Sequence, residues 1–160
     1  MDQLPDSDST SSLMKELSRK EIWSVWQTGR QGGSLSEDQA RLYQVMLDHP
    51  ELYDLWDRLI YATEEEVLRD GTNPVLHIMF HSIIENQIAL DQPPAVRQVL
   101  NALMQKRLNR HQAVHLIAEI LTHEVYHILK DKRPYDQRNY VRGLRKLPLT
   151  VPSPRPQKKG

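Results

Sequence analysis

The 160-residue sequence contains no cysteine, and this absence removes several classes of function at once. Disulfide bonds, thiolate zinc sites, iron–sulfur clusters and cysteine nucleophiles all require the missing sulfur atom. Any metal site in this chain must therefore be built from nitrogen and oxygen ligands, which suit borderline divalent ions such as zinc, iron and manganese.

Long apolar runs are also absent. No basic residue precedes Lys15 and no apolar segment follows it, so the sequence predicts no signal peptide. Polar residues interrupt the longest apolar stretches well before the roughly 20 residues that a membrane helix needs. We therefore expect a cytoplasmic protein with no membrane partner.

Alternating strand patterns and hairpin turns of the Asn-Gly type are absent as well. Apolar residues recur instead at helical spacing along most of the chain. This predicts an all-α fold, in which residues 13–147 form a single domain, an irregular bundle of five or six helices. Residues 1–12 are expected to be a disordered leader, and residues 148–160 a disordered, basic, proline-rich tail. The principal predicted helices cover residues 13–29, 74–90, 94–108, 110–130 and 136–146, and a polar connection is expected over 64–71.

The net charge is zero, but the charges are unevenly distributed. Residues 1–70 contain 15 acidic and 7 basic residues, whereas residues 132–160 contain 1 acidic and 9 basic residues. Such asymmetry is typical of a basic segment that meets nucleic acid, an acidic partner or the chain's own acidic half. Because few aromatic residues interleave with the basic tail, we expect a solvated end and keep nucleic-acid binding as the alternative. A protein partner and a homo-oligomer also stay open.

Six of the seven histidines lie in two clusters on two different predicted helices. In each cluster the pattern His-x-x-x-His-x-x-x-Glu places one residue every four positions. On a helix this step is one turn up, about 6 Å, and about 40° around the axis. Adjacent imidazoles at this spacing can bind one ion together, and a carboxylate one turn further can join or orient them. The residues of these two stripes are His77, His81 and Glu85, and His111, His115 and Glu119.

Both stripes run along the edge of an apolar helix face, so their side chains are expected to be partly buried and to need partners. Only one predicted helix separates the two striped helices, which should therefore run parallel with both stripes at the same level. We predict a site for one or two divalent ions there, of zinc, iron or manganese. The alternative is a non-catalytic protein-interaction module in which the stripes form a structural polar seam. His49 lies outside both stripes and is not expected to bind metal.

Residues 123–127 read His-Glu-Val-Tyr-His, which matches the H-E-x-x-H pattern of zinc proteases. In that chemistry His123 and His127 would bind zinc and Glu124 would be the general base. However, no histidine or glutamate follows to supply the usual third ligand, and a histidine-rich helix produces this pattern readily by chance. A zinc metallohydrolase is therefore the third hypothesis, and enzymatic activity stays undecided.

The segment from Asn73-Pro74 to Gln92-Pro93-Pro94, which contains the first stripe, resembles the bacterial family known as domain of unknown function DUF1841. Arg110-His111 with His115 and Glu119 resembles it too, and the likeness covers about residues 20–146. The resemblance implies a small helical protein without an assigned activity, in which all six stripe residues stand at family motif positions. Family members do not show H-E-x-x-H at residues 123–127, which weighs against a protease. The basic tail also looks like an extension beyond the family.

Overall fold

The structure is a computed structural model that describes residues 7–69 and 71–153, with side chains described from Ser18 onward. In these ranges the chain forms eight α-helices, two short 3-10 helices and no strand. The predicted all-α class is confirmed, whereas five or six helices is too few. None of the helices in the described ranges is both long and apolar enough to cross a bilayer. The α-helices are α1 (Ser7–Arg30), α2 (Glu37–Leu47), α3 (Tyr53–Asp57), α4 (Glu64–Val67), α5 (Pro74–Leu90), α6 (Pro94–Gln105), α7 (Arg110–Asp131) and α8 (Gln137–Thr150).

The chain divides into two compact units, Met1–Ser82 and Ile83–Gly160, and the boundary lies inside α5. The prediction of one domain over residues 13–147 stays a prediction. Helix α1 begins at Ser7, within the predicted leader, and α8 extends to Thr150, within the predicted tail. Residues 1–6 and 154–160 of those two predicted segments lie outside the described residues.

The core of the first unit is centred on two tryptophans, as the apolar pattern predicted. Trp26 and Trp56 are completely buried. The indole Nε1 of Trp26 donates a hydrogen bond to Asp57 Oδ1 at 2.7 Å, so this polar atom keeps a partner after burial. A Cβ atom on Gly29 would lie 2.5 Å from the ring of Tyr43. The contact between α1 and α2 therefore requires glycine at this position.

The additional helices arise mainly between residues 50 and 67. Residues 50–61 form two 3-10 helices, Pro50–Leu52 and Leu59–Tyr61, with α3 between them. Helix α4 forms where a polar connection was expected. Thr63 Oγ1 accepts a hydrogen bond from the Glu66 amide, while the Glu66 carboxylate accepts one from the Thr63 amide. This reciprocal capping, together with three acidic residues in the first turn, stabilises even one turn of helix.

In the second unit, α8 packs its apolar side against α6 and α7. Its buried residues are Tyr140, Leu144 and Leu147. The Tyr140 hydroxyl donates to Gln87 Oε1 at 2.8 Å. At the other end of α8, the Lys106 ammonium group donates to the carbonyl oxygens of Pro148 and Val151. These bonds satisfy carbonyl groups at the helix end, which explains why α8 continues past residue 146, its predicted end.

Candidate metal centre

Three histidines lie together in the first unit. His77 and His81 stand one turn apart on α5, and His49 follows α2. The ring centroids are 4.4 Å apart for His77 and His81, and 5.3 Å apart for His49 and either of the other two. His49 and His81 are buried, with 4% and 3% of their surface exposed. Each offers a ring nitrogen within 4.8 Å of the other's.

The ring orientation of His49 is fixed by its backbone contact. Its Nδ1 atom lies 2.8 Å from the carbonyl oxygen of Val45. A carbonyl oxygen can only accept, so Nδ1 carries the proton and the neutral ring presents an unprotonated Nε2. Metal-binding histidines commonly use a backbone carbonyl in this way. Sequence reasoning missed His49, because its contacts with α5 come from tertiary packing and follow no helical spacing.

In the second unit, His111 and His115 face each other on the first turns of α7. Asn109 begins this helix with a capping box. The Nε2 atoms of the two imidazoles are 3.0 Å apart. Two lone pairs at that distance repel, so either one nitrogen carries a proton or a cation joins them. The two nitrogens of a tetrahedral zinc site would lie about 3.3–3.4 Å apart, which a small rotation of either ring achieves.

The carboxylates of the two stripes, Glu85 and Glu119, have surroundings different from those of the imidazoles. Glu85 accepts two hydrogen bonds from the Arg110 guanidinium, at 2.5 and 2.8 Å. This bidentate pair joins α5 to the first residue of α7 and occupies both carboxylate oxygens. The geometry therefore gives Glu85 a positioning contact next to His111. Glu119 is exposed, and its role as a metal ligand stays a prediction.

The H-E-x-x-H segment has a geometry unlike that of a zinc hydrolase. His123 and His127 are exposed, and their ring centroids are 5.9 Å apart. Glu124 is buried and accepts a hydrogen bond from Arg133 Nη1 at 2.9 Å. This hydrogen bond, more than the accompanying charge attraction, raises the pKa of Arg133. A general base would have to reach a zinc-bound water, but the Glu124 carboxylate is held by Arg133. Among the described residues, no third ligand completes a site with the two histidines.

The sequence profile described as "Domain of unknown function (DUF1841)" matches residues 14–146. The chain belongs to this family. The match covers all six stripe residues and His49, and it confirms the resemblance noted from Asn73 to Pro94. No curated protein matches the chain, and no solved structure matches it. The geometry of its own side chains is therefore the basis for assigning a function to this DUF1841 member.

Proposed function

We propose that the chain binds one divalent metal ion through four imidazoles. The four ligands are the histidines whose ring nitrogens lie together, namely His49, His81, His111 and His115. The observation that carries this proposal is the 3.0 Å separation of the His111 and His115 ring nitrogens, a pairing suited to a shared cation. The buried pair in the first unit has the matching donor chemistry, with the His49 tautomer already suited to ligation.

The ligand atoms of these four histidines all lie within 4.8 Å of one another. Helix α5 carries His81 one turn before Glu85. Glu85 in turn holds Arg110, the residue directly before His111. Four nitrogen ligands complete a tetrahedral shell, which is typical of structural zinc sites and leaves no open position for a substrate. Iron(II) and manganese(II) are the other ions considered, and zinc fits this donor set best.

A second candidate is the protein-interaction module with a structural polar seam. The bidentate pair of Glu85 and Arg110 favours it, because this ion pair connects two helices without any metal. In that case the imidazoles would be satisfied by one another and by backbone groups. The two candidates differ in one property, which is whether an added ion stabilises the folded chain.

The test is a thermal melt of chelator-treated, untagged protein at neutral pH with zinc, manganese(II) or iron(II). An ion that binds only the folded state raises the melting temperature, and occupancy at about 100 times the Kd adds about 2.7 kcal/mol. The rise should shrink near pH 5, because protons compete for imidazole nitrogens whose reference pKa is about 6.5. His81→Ala and His115→Ala should each remove most of the rise. His123→Ala, an exposed histidine of the same helix as His115, should leave it intact.

His49→Ala separates the four-histidine proposal from the stripes predicted by sequence. The proposal requires this variant to lose most of the metal-induced rise, while His77→Ala keeps most of it. The opposite result would show that His77 and His81 of α5 supply two ligands and that His49 supplies none. Equal melting temperatures with and without every metal tried would leave the polar seam as the better account.

A further inference from the structure

The exposed side of α8 carries a row of arginines. Arg138, Arg142 and Arg145 are separated by four and three residues, which places them within about 60° of one another around the helix axis and along about 10 Å of its length. All three are exposed, whereas the opposite side of α8 is buried in the second unit. The row therefore faces solvent in a fixed direction.

These arginines differ in their partners from most of the other arginines that the structure describes. Six arginines elsewhere in the described ranges form ion pairs with carboxylates, namely Arg41, Arg58, Arg69, Arg97, Arg110 and Arg133. Within the same ranges, no carboxylate pairs with the three arginines of the row. Arg142 bonds only a neutral side-chain amide, at Asn139. The positive charge of the row is therefore not neutralised by the described part of the chain.

The backbone beneath the row is firmly held. Asp136 caps the start of α8 by accepting a hydrogen bond from the Arg138 amide at 2.9 Å. Tyr140 is bonded to Gln87, and Lys106 binds the carbonyl groups at the far end. A fixed helix loses little conformational freedom when a ligand binds to its surface, which improves affinity.

We propose that the arginine row of α8 binds the phosphate backbone of nucleic acid. Guanidinium groups match phosphate oxygens with paired hydrogen bonds, which lysine cannot do. The second unit has 14 basic and 6 acidic residues, so its charge favours a polyanion over a neutral partner. Tyr135, half exposed just before the helix, offers a ring for base stacking next to the row. Contacts of this type recognise the charged phosphate groups and do not distinguish one base sequence from another.

The test is fluorescence anisotropy with a labelled single strand of about 20 nucleotides and a duplex of the same length, at several salt concentrations. The variant Arg138→Gln/Arg142→Gln/Arg145→Gln should weaken binding at least tenfold. It should also reduce the slope of log affinity against log salt by about 2–3, since each phosphate contact contributes about 0.7–0.9. The matched control Arg41→Gln/Arg58→Gln/Arg69→Gln removes the same charge from paired arginines and should change the affinity less than about threefold. Circular dichroism melts of both variants check that each remains folded.

Equal weakening by the two triple variants would overturn the proposal, because net charge alone would then explain binding. Absence of binding to both nucleic acids would overturn it as well. In that case, loss of self-association in the α8 variant during sedimentation would identify the acidic half of a second copy as the occupant. Selective binding of the wild-type chain to anionic vesicles would identify a lipid surface instead.

Discussion

At the scale of single residues, the sequence predicted those imidazoles that stand one helical turn apart. The pairs His77–His81 and His111–His115 are both in ring contact on the helices expected for them. His49 could not be predicted, because its contact with His81 depends on how the segment after α2 packs on α5. Helical spacing identifies neighbours on one element only, and ligands from another element stay hidden until the fold is known.

The carboxylates show a similar limit. A glutamate one turn beyond two histidines suggested a ligand, and this stays a prediction at Glu85, where the guanidinium of Arg110 binds both carboxylate oxygens. A guanidinium group binds a carboxylate through two parallel hydrogen bonds. This pair of bonds is stronger than a single contact between the carboxylate and an imidazole. The sequence pattern contains Arg110, but not the information that α7 begins beside Glu85 of α5.

Glu85→Gln tests this positioning role. The substitution replaces the charged carboxylate of a partly exposed ion pair by a neutral amide. The metal-free protein should therefore be less stable by about 0.5–1 kcal/mol. The metal-induced rise in melting temperature should persist. Glu119→Gln, at an exposed position of the second stripe, is the control and should change neither quantity. If Glu85→Gln abolished the metal-induced rise, Glu85 would have to be a ligand.

At the scale of helices, several boundaries coincide with capping residues that can be read in the sequence. Ser36 and Asn109 cap α2 and α7 with reciprocal hydrogen bonds, and the Asn73 side chain accepts from the Val75 amide at the start of α5. The same signal stood before α4 in Thr63 and Glu66, but an acidic run suggested a solvated connection. A helix cap is formed by hydrogen bonds between residues that are close in the sequence, which is why it can be predicted from the sequence.

The end of α8 required a contact that no local pattern contains. Lys106, at the end of α6, binds two carbonyl oxygens beyond the predicted end at residue 146. A chain that ends at Leu147 loses both acceptors and should therefore melt at a lower temperature than a chain that ends at Ser153. Two hydrogen bonds to a charged but only partly buried donor suggest a cost of about 1–3 kcal/mol, measured by denaturant unfolding.

Lys106→Met provides the matched control for that truncation. It should destabilise the chain that ends at Ser153, and it should have little further effect on the chain that ends at Leu147, because both changes remove the same bonds. Additive losses would show that the end of α8 is stabilised by other contacts. Equal stability of the two chain lengths would contradict this stabilising role and would agree with the disordered tail predicted from residue 148.

At the scale of the whole molecule, the fold class followed from periodicity, whereas the division into two units did not. Apolar spacing identifies the buried face of each helix but not which helices share a core. Here the division falls between Ser82 and Ile83, inside one uninterrupted helix. It also coincides with the charge asymmetry, since the first unit has 15 acidic and 7 basic residues and the second has 6 and 14.

The central claim is that one ion is bound by the four imidazoles of His49, His81, His111 and His115. X-ray absorption spectroscopy of the zinc-loaded chain measures this directly. The account predicts one zinc per chain with four nitrogen neighbours at about 2.0–2.1 Å and the outer-shell pattern of imidazole rings. His49→Ala should lower the number of imidazoles, and His123→Ala should leave the spectrum unchanged. A shell dominated by oxygen, or a spectrum that is unaltered when His49 and His81 are both replaced, would contradict the account.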